Sequence, residues 1–303
     1  MKEDIKMALV PQEIFKFTKK EKLMMIIIII LIIIGIIITW NDFKENQILF
    51  SKQKIYKEQL LEKQQKEMQE QIAKEEAKRQ EKLPKLTDTG KENIKHIYSS
   101  DIKRAFLTFD DGPSENTNQI LEILKDNGVK ATFFVLGSNV EKNPQLVKKM
   151  YDEGYFIANH GYSHVYETIY QSPETVLDEY NKCNELVQQA IGEPEYNSHL
   201  FRFPGGLVGG KYAEIKIQAK DLLMQNDIVH VDWNALNGDA EKTYPSIEYE
   251  MQQLKETVGN KQSVVILMHD AEAKKVTVEA LPEIINYLKE QGYQFEDFYE
   301  IMK

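Results

Sequence analysis

From about Ile94 onward, short apolar runs alternate with helical patterns, and no other feature constrains the fold of this chain as strongly. The strand-like runs are 104–110, 131–136, 155–158, 200–203, 228–233 and 263–268. Between them the spacing predicts helices near 118–127, 144–153, 173–191, 211–225, 245–258 and 276–290. Such alternation predicts parallel strands joined by crossover helices. Strands covered by helices on both faces read as continuous apolar runs, as Ala105, Phe106, Leu107 and Phe109 do. In folds of this kind chemistry collects at the carboxyl ends of the strands.

Those ends carry polar residues in this chain. The first run stops at Asp110-Asp111, followed by the chain-breaking Gly112-Pro113. Along a regular strand, neighbouring side chains point to opposite faces. The two carboxylates can therefore share a pocket only where the backbone turns, which is where they stand. Burying such a pair is costly unless a cation accompanies it. The third run is followed by Asn159-His160-Gly161-Tyr162-Ser163-His164 and the fourth by Arg202-Phe203-Pro204-Gly205-Gly206. The fifth leads to Asp232-Trp233 and then Asp239, and the sixth to His269-Asp270.

His160 and His164 are four residues apart, which on a helical turn places both imidazoles on one face. Asp111 completes a two-His, one-carboxylate set with open positions, suited to metal-assisted hydrolysis. Asp110 then remains as a base beside the metal. Arg202 precedes a Pro-Gly-Gly turn that suits close backbone approach, and its guanidinium is expected to hold Asp110 ionised. His269 follows an apolar run, where a satisfied core histidine and a site residue both stay open; at the site it would donate a proton from another strand end, and a nearby Asp239 would favour its charged form.

The other large feature is residues 23–40, dominated by isoleucine and interrupted only by Gly35 and Thr39. Its length is near the lower limit for a transmembrane helix, about 17–25 residues, and a buried helix would not be apolar all round. A cleavable signal has a shorter core and small residues after it. Here Thr39-Trp40-Asn41-Asp42-Phe43 offers no such site, so an uncleaved signal anchor is expected. Lys16, Lys19, Lys20 and Lys22 precede it, and only Lys44 follows closely. The positive-inside rule then puts 1–22 in the cytoplasm and the rest outside the cell membrane. Residues 41–93 read as a charged, partly helical stalk or linker whose apolar spacing never settles into a sustained heptad, although a short coiled coil stays open. The remaining 94–303 form the catalytic domain. A net charge of −10 without a basic, aromatic-interleaved stripe argues against a nucleic-acid partner. The one cysteine, Cys183, excludes an intrachain disulfide and a thiolate zinc site.

Thr108-Phe109-Asp110-Asp111, His160 to His164, Arg202 to Gly206 and Leu267-Met268-His269, in that order, resemble the motifs of the polysaccharide deacetylase family (carbohydrate esterase family 4, the NodB homology domain). The resemblance covers roughly 94–303. It implies an α/β fold, a distorted (β/α) barrel of about seven strands. It also implies a divalent metal, usually Zn2+ and otherwise Co2+ or Mn2+, held by Asp111, His160 and His164. Hydrolysis would remove the acetyl group of N-acetylated sugars. The family's oxyanion donor maps to the Gly205 N–H, and Tyr162 in the second motif becomes a candidate substrate contact. In two places this chain departs from the family. Gly205 stands where an aromatic usually follows the proline, and Asp239 is followed by Ala240 rather than tryptophan. Asp239 matches the fourth motif better than Asp232 does.

With the anchor, the resemblance implies N-acetylglucosamine of peptidoglycan as substrate. The alternatives are another acetylated surface polysaccharide or chitin-type oligomer, an inactive wall-binding protein, and a metal-dependent phosphodiesterase. No second ligand set favours the last of these.

Overall fold

The structure, a computed structural model, describes residues 18–303. The tail read above as cytoplasmic lies outside the described residues as far as residue 17. The chain divides into two compact units, one ending at Gln80 and the other spanning Glu81–Lys303.

The first unit is dominated by helix α1, Lys19–Lys82, with no buried residue along its length. At 1.5 Å per residue its 64 residues extend for about 96 Å. The isoleucine run lies in its first part. The charged stretch that follows is helical throughout, and i,i+4 pairs such as Lys54–Glu58 and Lys63–Glu67 line it.

In the second unit the elements follow in the order α2 (Asp88–Lys95), β1 (Arg104–Asp110), α3 (Thr117–Asn127), β2 (Thr132–Val135), α4 (Gly137–Lys142), α5 (Pro144–Asp152), β3 (Phe156–Asn159), α6 (Tyr166–Ile169) and α7 (Pro173–Ile191). Then come β4 (Leu200–Phe201), α8 (Ala213–Gln225), β5 (Val229–His230), β6 (Ala235–Leu236), α9 (Ile247–Val258), β7 (Ser263–His269), α10 (Lys275–Glu290), β8 (Gln294–Phe295) and α11 (Phe298–Ile301). The sheet runs β5-β4-β3-β2-β1-β7-β6, with β8 added beside β1, and every pairing is parallel. This is the expected barrel, left open between β5 and β6.

Alternation along β1 sorts the core into two layers. Ala105, Leu107 and Phe109 pack outward under the helices with Leu121, Ile266 and Leu281. Phe106 packs with Phe134, Val265 and Phe298 in a separate cluster on the other face. Thr108 and Asp110 share that second face by the same period of two. Thr87 caps α2 by accepting from the Gly90 N–H, and Leu83 and Ile94 are buried.

The run 228–233 does not form one strand. β5 ends at His230, and the chain crosses the open seam to start β6 at Ala235. The Arg202 guanidinium takes the Val231 and Asp232 carbonyls at 3.1 Å each, in place of a strand neighbour. Asn234 then docks on β7, its side chain accepting from the Val265 N–H and donating to the Ser263 carbonyl. Asp239 consequently follows β6, not the fifth run.

Candidate active site and metal centre

Registry brings the polar residues to one rim. Asp110 lies opposite His269 across β1 and β7, and Asn159 lies opposite Phe201 across β3 and β4. His160 and Arg202 are the next residues after those strand ends, and Asp111 follows Asp110. Asp111 has a φ of 73°, a left-handed conformation that rarely suits a side chain. That turn ends the strand's alternation and sends the second carboxylate to the same side as the first. Asp270, fully buried, ties the turn down by accepting from Ser114 Oγ at 2.6 Å and Thr117 Oγ1 at 2.5 Å.

The two histidines do come together, but not on a helical turn. Residues 160–165 form a loop, and α6 begins only at Tyr166. Gly161 at φ 83° and His164 at φ 57° fold it back on itself. Glu179 of α7 holds the loop, accepting from the Tyr162 N–H at 2.6 Å, the Ser163 N–H at 2.7 Å and Ser163 Oγ at 2.7 Å. Nothing in the sequence marked Glu179, one acid among several on a polar helix. Its role comes only from the loop that folds over it.

Asp111, His160 and His164 each present one ligand atom, all within 4.8 Å of one another. His160 Nε2 and His164 Nε2 stand 3.7 and 3.6 Å from Asp111 Oδ1, too far for hydrogen bonds. Asp111 Oδ1 is itself buried and has no hydrogen-bond partner among the described residues. A tetrahedral ion with ligand distances of about 2.0–2.2 Å spaces its donors by about 3.3–3.6 Å. The donor set and its unpartnered oxygen therefore fit a divalent cation. His160 Nδ1 bonds the Arg202 carbonyl at 2.8 Å, which directs Nε2 toward Asp111. Burial pushes the His160 imidazole down to about 3 against the pull of Asp111, so the ring is neutral and able to ligate.

Asp110 is buried and receives Arg202 Nη1 at 2.8 Å, and the same nitrogen donates to Thr108 Oγ1 at 2.7 Å. The expected pairing is present, but it does not by itself keep Asp110 ionised in the ordinary range. Burial raises the carboxyl, and Arg202 and His269 offset only part of that rise. A cation beside Asp111 would lower it further.

On the opposite side His269 Nδ1 and Asp239 Oδ1 are 2.8 Å apart, and the His269 N–H donates to Asp239 Oδ2 at 2.9 Å. Burial works against the imidazolium. The hydrogen bond and charge of Asp239, with Asp110 and Asp111 adding to them, overcome it and push His269 up to about 9. Asp232 has a different task, accepting from the Leu207 N–H at 3.0 Å below the glycine turn.

That turn is held from both ends. Tyr170 Oη donates to the Pro204 carbonyl at 2.7 Å and Lys216 Nζ to the Gly206 carbonyl at 2.6 Å. Gly205 sits at φ 75°, and a Cβ there would collide with the Tyr166 hydroxyl. Among the described residues no acceptor takes the Gly205 N–H. Tyr162 is turned away from this group. Its ring lies against Gly137 and under Lys182, and its hydroxyl bonds Glu141 at 3.0 Å. The outward step of the loop after Gly161 swings it there. The aromatic that does stand beside the site is Tyr166, 5.7 Å from the His164 ring. From Asp111 and His164 a cleft of about 640 Å3 opens past Asn139, Lys142 and Leu146.

Comparison with known proteins places this site in context. A family model described as polysaccharide deacetylase matches residues 98–221. The chain is 36% identical over 210 residues to the "Putative polysaccharide deacetylase YheN" of Bacillus subtilis, covering 67% of this chain and 70% of the relative. It is 32% identical over 201 residues to a peptidoglycan-N-acetylglucosamine deacetylase of Bacillus cereus, covering 65% and 70%. Among solved structures, a Streptococcus mutans CE4 esterase superposes with a TM-score of 0.62 at 31% identity, covering 68% of this chain and 90% of that one.

Proposed function

The chain belongs to the polysaccharide deacetylase family, and from that premise we propose that it hydrolyses the N-acetyl group of N-acetylglucosamine in peptidoglycan. The observation that carries the reading is the unpartnered Asp111 Oδ1 facing two imidazole nitrogens, with the Asp110–Arg202 pair on one side and the His269–Asp239 pair on the other. Asp111, His160 and His164 would hold a divalent ion, Zn2+ or in its stead Co2+ or Mn2+. Such an ion makes bound water more acidic and polarises a carbonyl.

The chain's own residues do the rest. Asp110 accepts the proton of the attacking water, and Arg202 fixes the orientation of its carboxylate. The Gly205 N–H donates to the acetyl oxygen as negative charge develops there. An amide nitrogen leaves poorly unless protonated, and His269 supplies that proton from the far side. Asp239 holds the imidazole in place and keeps it charged.

The apolar helix near the amino terminus supports a membrane anchor over 23–40. We assign 1–22 to the cytoplasm, 41–93 to an extracellular stalk and 94–303 to the catalytic domain. An active site tethered in this way reaches polymers lying against the membrane.

The test is acetate release by the purified full chain from peptidoglycan and from N-acetylglucosamine oligomers, before and after chelation and after Zn2+ addition. Release that chelation stops and Zn2+ restores is expected. Release from oligomers alone would move the substrate to another acetylated polysaccharide, and none from either, with metal bound, would overturn the proposal.

A further inference from the structure

Behind the His269–Asp239 pair lies a second buried carboxyl, Glu250 of α9, fully buried. Its Oε2 accepts from Asn237 Nδ2 at 2.7 Å, and its Oε1 lies 3.3 Å from Thr277 Oγ1 on α10. Thr277 Oγ1 in turn lies 3.0 Å from Asp239 Oδ2 and 3.4 Å from Asn237 Nδ2. A chain of polar contacts thus runs from His269 through Asp239 and Thr277 to Glu250, with every member after His269 buried.

Proton counting decides how this chain is wired. A threonine hydroxyl has one proton to give, and a carboxylate has none. Asn237 Nδ2 is a donor, so it serves as a donor toward both Thr277 and Glu250. If Asp239 and Glu250 were both ionised, the single Thr277 proton would face two acceptors. One of the Thr277–carboxylate contacts would then be two lone pairs pressed together. Two anions would also flank one buried oxygen, and the ammonium facing them, Lys274 Nζ, is engaged with the Asp239 main-chain carbonyl at 2.7 Å. A proton on Glu250 removes both difficulties. Its O–H donates to Thr277 Oγ1, and Thr277 donates to Asp239 Oδ2.

We propose that Glu250 is a positioning residue that stands as a neutral acid and donates through Thr277 to Asp239, so that the cluster's one negative charge sits against His269. Burial and the charge of Asp239 raise Glu250 to about 7, in keeping with that wiring. The inference rests on the deacetylase reading only for its consequence in catalysis. The wiring itself belongs to the fold.

The first measurement needs no substrate and no substitution. Infrared spectra of the full chain near pH 6, with and without carboxyl-13C glutamate, should contain a protonated-carboxyl stretch that shifts on labelling. Glutamate labelling separates it from Asp110 and Asp270. Glu250→Gln, whose amide can donate to Thr277 and accept from Asn237, should remove that band and leave the His269 NMR titration midpoint in place. In the activity assay, Thr277→Val should lower kcat about tenfold or more, the size of a lost hydrogen bond to a charged group, at little change in KM, and Thr277→Ser should restore it. The proposal is overturned if no labelled protonated-carboxyl band appears. It is overturned equally if Glu250→Gln lowers the His269 midpoint, since Glu250 would then have been an anion holding the imidazolium. Both spectroscopic arms stand even if deacetylation fails.

Discussion

Replacing Arg202 by Met should be among the most damaging single changes in the protein. Arg202 is fully buried, and its partner Asp110 is 2% exposed. The guanidinium donates to Asp110, Thr108, Val231 and Asp232 and lies 4.0 Å over the Phe134 ring. Methionine conserves part of the volume and none of the donors. Removing one partner of a buried pair typically costs about 3–5 kcal/mol, because the other charge is left uncompensated. For a unit of this size that lowers Tm by roughly 6–20 °C. The loss should also depend on pH. Asp110 already lies above its ordinary value, so on raising the pH the unfolded chain gives up this proton first. Its contribution is complete below about pH 4 and is lost as pH rises through the folded value. Removing Arg202 raises that folded value further, so the part of the deficit owed to Asp110 should be small in acid and grow toward neutral pH, above a pH-independent part from the lost contacts to Thr108, Val231 and Asp232. Urea unfolding of chelator-treated protein at both ends of this range measures it. Adding Asp110→Asn to Arg202→Met should recover much of the neutral-pH deficit. A deficit under about 1 kcal/mol, the scale of an exposed pair, with no dependence on pH, would show that Arg202 does not compensate a buried charge on Asp110.

Further outcomes follow from the same geometry. Asp111→Ala, His160→Ala and His164→Ala should each lose bound metal and activity together, read by elemental analysis beside acetate release, since three ligands leave no redundancy. Asp110→Asn should keep its metal and lose about 10²–10⁴-fold in kcat, the usual reach of a general base; full activity would remove Asp110 from that role. His269 must be protonated to act as an acid, so kcat should fall as pH rises through about 9. Asp239→Asn removes the contacts that oppose burial, and the fall should move to lower pH; an unmoved profile would separate His269 from the proton. Protease added to intact cells should cut the stalk and release the domain, whereas protection of the domain would reverse the orientation.

Much of this site was legible in the sequence, and the residues that were not share a reason. β1 and β7 are covered on both faces, so their apolar runs name them and fix Asp110 and His269 at their ends. β6 and β8 span two residues each and leave no pattern to read. Spacing points to His160 and His164, which do come together, but through a loop and not a helical turn. The true device, two left-handed residues and a carboxylate from α7, involves contacts distant in sequence. The motif points to Tyr162 as a substrate contact, yet the direction of a loop side chain is set by what it packs against, here Gly137 and Lys182. The fourth motif favours Asp239 over Asp232, but the chain's crossing of the open seam, which sets Asp239 beside His269, leaves no local pattern. Glu250 and Thr277 look like ordinary helix residues until two helices bring them behind Asp239.

We propose that a site built from Asp110, Asp111, His160, His164 and His269 removes acetyl groups from the glucosamine of peptidoglycan. The most direct test is mass spectrometry of muropeptides, cut from fully acetylated peptidoglycan after treatment with the metal-loaded full chain. Treated muropeptides should carry glucosamine with a free amine beside muramic acid still acetylated, and Asp110→Asn should leave the glucosamine acetylated. Fully acetylated muropeptides after treatment with protein shown to hold its metal would contradict it.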